Sequence, residues 1–94
     1  MNPFPNATIS GTAIVLAPGH FNPDRAKTAY GLVRGSERFH VLAVIDLKKA
    51  GQDAGDIVDN KKRDIPVFGS VNQALEKLEL RPQYAVIGLS LIHI

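Results

Sequence analysis

The chain has 94 residues, 45% of them hydrophobic, and a formal net charge of +2, which bounds it to one small globular domain and gives no electrostatic footprint for nucleic acid. It contains no cysteine, so neither a disulfide framework nor a thiolate metal site is available. No apolar run approaches the roughly 18–20 residues of a membrane span, and the opening "MNPFPNATIS" lacks the basic and apolar regions of a secretory signal. The expectation is a cytoplasmic protein with no membrane and no nucleic-acid partner.

Residues 1–11 read as an N-terminal extension. The first element is Thr12–Ala17, "TAIVLA", a continuous apolar run of the kind that forms a strand buried on both faces of a parallel sheet. The turn "PGHFNP" ends it. Asn22-Pro23-Asp24 then predicts a helix start, with Asn22 as cap, Pro23 in the first helical position and Asp24 complementing the dipole. Ala26, Ala29, Tyr30 and Val33 follow at helical spacing as one apolar face, and Gly35 supplies the stop. Phe39–Ile45, "FHVLAVI", reads as a second buried strand ending at Asp46.

Leu47–Asp64 is polar, with a short helical turn expected near Asp53–Val58. Its Lys48, Lys49, Lys61, Lys62 and Arg63 are interleaved with Asp53, Asp56, Asp59 and Asp64, which marks a solvated mixed-charge segment. Ile65–Phe68 is a short third strand, placed at an edge or a strand start by Pro66. Ser70 and Gln73 have capping-box spacing, and Val71, Ala74, Leu75 and Leu78 form the apolar stripe of the helix begun there. Arg81-Pro82 is its expected stop, and Tyr84–Gly88 the fourth strand.

The order is βαβ, loop, βαβ. That alternation predicts an α/β fold, a Rossmann-like parallel sheet flanked by helices, over residues 12–88, incomplete as it stands. Ligands of such sheets sit outside the carboxyl ends of the strands, which directs attention to the turn after the first strand. The turn holds Gly19 alone, so it is neither G-x-G-x-x-G nor a Walker A loop. What it offers is a helix start whose backbone N–H groups near Pro23–Arg25 can hold an anion. The ligand-binding candidates are Gly19, His20, Lys27 and Thr28, with Lys27 and Thr28 expected one turn into the helix. Asp46 joins them, since dinucleotide folds put a ribose-binding carboxylate at the end of the second strand. An acid in that place is equally common in a plain turn. No catalytic residue and no metal set emerges.

The segments "AKTAYGLVRGS", "AVIDLKKAGQDAG" and "DIPVFGS", within a likeness running from about Thr12 to Gly88, resemble the N-terminal domain of the D-glutamate N-acetyltransferase-like (DgcN-like) family, formerly a domain of unknown function. The resemblance implies a Rossmann-like domain followed by a larger C-terminal P-loop-like domain. It also implies a full-length enzyme that moves an acetyl group from acetyl-CoA to D-glutamate, its small-molecule substrate.

Relatives continue past "YAVIG", whereas this chain ends "LSLIHI". Those six residues are what CTG TCT CTT ATA CAC ATC encodes, a string resembling a sequencing-library adapter. Residues 89–94 are therefore read as adapter read-through, and the chain as a fragment inactive on its own, with its C-terminal partner domain missing. Two alternatives stay open: an NAD(P)- or CoA-binding Rossmann module without its own catalysis, and a non-catalytic assembly scaffold, as in a homo-oligomer.

Overall fold

The computed structural model describes residues 11–35 and 39–88. The tail expected to be foreign, 89–94, and residues 1–10 of the expected extension lie outside them. The elements run β1 (Gly11–Leu16), α1 (Lys27–Arg34), β2 (Phe39–Ile45), a 3₁₀ turn (Leu47–Lys49), α2 (Ala54–Asp59), β3 (Val67–Phe68), α3 (Val71–Lys77) and β4 (Tyr84–Ile87). The four strands form one all-parallel sheet in the order β3-β2-β1-β4. The fold is thus Rossmann-like, as the alternation of elements predicts.

β1 and β2 are sandwiched. Ala13, Ile14 and Val15, and Ala43, Val44 and Ile45, are all buried because helices lie on both faces. One face carries Val15, Val41, Val44 and Val67 against Phe21, Tyr30 and Val33 of the α1 region and Ala54 of α2. The Phe21 and Tyr30 rings meet edge to face, 5.1 Å between centroids. The opposite face carries Ile14, Ala43 and Ile45 against Ala74 of α3. At the amino end of β1, Gly11 lacks the side chain that would collide with Gln83 and Tyr84. There the rings of Phe39 on β2 and Tyr84 on β4 pair at 5.5 Å.

Three elements differ from the sequence-based expectation by more than one residue at a boundary. β3 is two residues long rather than four, because Pro66 has no N–H to give a ladder; it contributes only its carbonyl, which accepts from Val44 N–H at 3.0 Å. α3 stops at Lys77 rather than at Arg81. The chain must return to the amino end of β1, and it is held there by Thr12 Oγ1–H donating to Arg81 O and Gln83 N–H donating to Thr12 O. α1 starts at Lys27 rather than Pro23, for reasons that belong to the site.

The segment between β2 and β3 is organised by one carboxylate. Asp53 caps α2 by accepting from Asp56 N–H at 3.1 Å, and it also accepts from Arg63 N–H at 3.0 Å and Ile65 N–H at 2.8 Å. Burial pushes the Asp53 pKa up, but these backbone donors outweigh it and hold the carboxyl below its usual range. A two-pronged Arg63–Asp59 pair, with Nη2 at 2.8 Å from Oδ2, lowers the Asp59 pKa chiefly through that hydrogen bond. Among the described residues, no helix is long and apolar enough to cross a membrane, and no group of His, Cys, Asp or Glu could hold a metal ion.

Candidate functional site

β1 is flanked by β2 on one side and β4 on the other: the steps from β1 to β2 to β3 run one way, and the step from β3 to β4 crosses back past β1 the other way. Its carboxyl end is the switch point of the sheet, where parallel α/β folds take their ligands. Three segments meet there: residues 17–26 after β1, residues 46–53 after β2, and Gly88 after β4.

The turn after β1 is built by Asp46. Its carboxylate, 1% exposed, accepts from Gly19 N–H at 2.8 Å and Lys48 N–H at 3.1 Å through Oδ1, and from Phe21 N–H at 3.2 Å through Oδ2. A buried carboxylate is tolerated when several donors satisfy it, and these three fasten the β1 turn to the end of β2. Gly19 adopts φ +74°, a left-handed conformation that suits glycine. Asp46 thus faces inward as an anchor, a geometry that does not suit the ribose-binding role considered for it.

Every described N–H of the turn is spent internally. His20 N–H donates to Ala17 O, Asn22 N–H to His20 O, and Ala26 N–H to Asn22 O. Asn22 Oδ1 accepts from Asp24 N–H at 3.1 Å and Arg25 N–H at 3.0 Å. Asn22 therefore does cap, as its position predicts, but it caps an isolated turn. Ala26, at φ −120° and ψ 43°, breaks that turn from the helix, and it has no side-chain oxygen to cap α1.

This moves the free donors. They are not at Pro23–Arg25 but at Lys27 and Thr28, the first two residues of α1, whose N–H groups have no acceptor among the described residues. The third, Ala29 N–H, donates to Gly88 O at 2.8 Å, while Gly88 N–H donates to Leu16 O at 2.8 Å. Gly88 seats here because a Cβ would come within 2.5 Å of Val15 Cγ1 and 2.6 Å of Ala29 Cβ. The side chains of Lys27 and Thr28 are exposed, so a charge and a hydroxyl accompany the two free N–H groups.

Of the five candidates, the fold brings Gly19 and Asp46 into direct contact and sets Lys27 and Thr28 at the helix start that the same turn leads into. His20 is exposed and holds the turn through its backbone alone among the described residues. Sequence reasoning passed over Lys48, whose Cε lies 4.0 Å from where a Cβ on Gly19 would stand. It also passed over Gly88. Both are explained by strand order, since parallel neighbours place their carboxyl-end loops side by side.

A hollow of about 480 Å³ lies at the opposite, amino end of the sheet, lined by Leu32, Phe39, His40, Arg63 and Asp64 among others. It is remote from the switch point, and Arg63 there is committed to Asp59. The carboxyl end is the better candidate, because strand topology and free donors coincide there.

Residues 47–93 match the family model of a domain of unknown function, DUF1611_N, described as a Rossmann-like domain. Among solved structures, a DUF1611 family protein from Anabaena variabilis is similar at 33% identity and a TM-score of 0.69. The match covers 84% of this chain and 21% of that one, so the chain spans a minor part of that protein's length. No curated protein matches.

Proposed function

The chain belongs to the DUF1611 family as its Rossmann-like N-terminal domain, and from that premise we propose that it serves a full-length N-acetyltransferase acting on D-glutamate with acetyl-CoA. In that reaction the amine nitrogen attacks the thioester carbonyl, the CoA thiol departs and one proton is released. This domain supplies no catalytic group to the step. Its part is to hold an anionic group of substrate or cofactor at the start of α1.

The observation that carries the reading is the pair of N–H groups at Lys27 and Thr28 that have no acceptor among the described residues, located at the switch point and accompanied by the Lys27 charge. Two N–H donors and a cation fit one phosphate or carboxylate. The single glycine of the turn does not fit the close pyrophosphate approach of a dinucleotide loop, which favours a compact anion over NAD.

The test is Lys27→Met in the full-length protein, assayed by CoA release with D-glutamate as acceptor. The substitution keeps helix propensity and most of the side-chain volume. Charge-assisted hydrogen bonds contribute about 1.5–3 kcal/mol, so ligand affinity or turnover should fall about ten- to a hundredfold with an unchanged melting temperature. Unchanged kinetics would remove Lys27 from the site. Absence of acetyl transfer in the unsubstituted enzyme would remove the reaction itself.

A further inference from the structure

β4 is hydrogen-bonded to β1 on one side, and no strand among the described residues pairs with its other edge. Along a parallel strand the N–H and C=O of each residue point the same way, alternating residue by residue. Gly88 faces β1, donating to Leu16 O, so Val86 does too, and Ala85 and Ile87 turn their backbone groups to the open side. Natural edges are usually blunted by Lys, Pro or a bulge. "YAVI" carries no such device.

The side chains repeat the pattern. Ile87 is 70% exposed and aligned with Leu16, and Ala85 is exposed and aligned with Ile14. Ile14 and Leu16 belong to the face that α3 covers. α3 itself leaves Val71 and Leu75 partly bare, and Leu80 beyond it is exposed. Isolated exposed apolar residues need no explanation, but a run along an open edge and its adjoining face does.

Handedness says what fits. The step from β3 to β4 crosses the sheet toward the β4 edge, with α3 on one face. A further right-handed parallel step in the same direction puts its helix on that same face and its strand beside β4. The order β3-β2-β1-β4 is also that of the first four strands of the doubly wound sheet 3-2-1-4-5-6, in which the next strand lies beside the fourth. A longer polypeptide is at hand in this family, since the chain accounts for 21% of the Anabaena protein. We infer that the free edge of β4 and the apolar face beside it receive a fifth parallel strand and its crossover helix, both from the remainder of the DUF1611 polypeptide. The inference rests on the family and the sheet, and holds whichever reaction the full-length protein catalyses.

Amide hydrogen exchange tests it on two molecules: the 94-residue chain, and the full-length protein that carries this domain. Ala85 and Ile87 should exchange freely in the short chain and at least about a hundredfold more slowly in the long one, as edge amides do when a neighbouring strand pairs with them. Equal, rapid exchange in both would overturn the inference. Protection in the short chain that grows with protein concentration would also overturn it, by assigning the edge to a second copy. Ile87→Lys supplies an independent reading: it should lower the melting temperature of the full-length protein and leave that of the short chain unchanged. The reverse result would count against the proposal.

Discussion

The two faces of the sheet are built from the same strands and are covered very differently. Under α1 and α2 lies a continuous layer that includes Val15, Phe21, Tyr30, Val44 and Val67. Under α3 the buried set shrinks to Ile14, Ala43, Ile45 and Ala74. The covered face holds the large side chains and so most of the hydrophobic stabilisation, at about 25 cal/mol per Å² of apolar surface. The other face carries apolar residues that stay exposed among the described residues. The contrast separates residues that maintain the domain from residues that the inferred fifth strand and its helix would cover.

The largest expected effect would break or uphold this division. Phe21→Ala empties the middle of the covered face, where Phe21 is fully buried and meets Tyr30 edge to face, and should cost about 3–5 kcal/mol. Leu75→Ala on the helix over the other face should cost under about 1 kcal/mol, as partly exposed positions do. Denaturant melts of both variants decide the matter, and similar losses would end the distinction.

A second variant asks whether the covered layer extends to the rim of the site. Asp46→Ala would orphan the N–H groups of Gly19, Phe21 and Lys48. Leaving buried donors unpaired costs about 1–3 kcal/mol for each that water cannot reach, a large share of the roughly 5–15 kcal/mol typical of a domain. The expected loss is about 2–4 kcal/mol, accompanied by faster exchange of the Gly19 and Phe21 amides. A ligand-contacting Asp46 would instead show near-normal stability.

The smallest effect concerns acid. Asp53 and Asp59 both have folded pKa values below their usual range. Their contribution is present above the unfolded carboxylate value, about 4, and is lost as pH falls through the lower folded values. Stability should therefore decline below about pH 4, and Asp53→Asn should flatten that limb while leaving the faces of the sheet alone. An acid limb unchanged by Asp53→Asn, measured by urea midpoints across pH, would assign it to other carboxylates.

Much of this is legible in the sequence. The apolar runs at 12–17 and 39–45 announce strands covered on both sides, and the capping residue Ser70 is where it should be. Ser70 accepts from Gln73 N–H at 3.1 Å as the capping box predicts. The site is less legible, because its geometry depends on which loops become neighbours. Asn22 looks like the cap of α1 in sequence, yet Ala26 interposes a break, and the free donors fall at Lys27 and Thr28. Asp46 looks like a ribose ligand by position, and only the parallel pairing of β1 with β2 shows that it reaches back to Gly19. The α3 stripe of Val71, Ala74, Leu75 and Leu78 is apolar at helical spacing, but periodicity does not say how much of it a sheet will cover.

The place of β1 has a consequence for how the protein is made. Among the described residues the first strand is flanked on one side by the last, and the Thr12–Gln83 contact joins residues 71 apart. Contacts of such long sequence separation form late and slowly, since the loop must close before they reward it. On the ribosome, β1 can pair with β2 once residue 45 has emerged, but one flank of β1 stays open until Gly88 has cleared the exit tunnel. At about 5–20 residues per second, that leaves a nascent chain several seconds with a half-dressed hydrophobic strand. Binding of trigger-factor-like chaperones in that interval, measured by crosslinking stalled chains of increasing length, should fall away once residue 88 is outside.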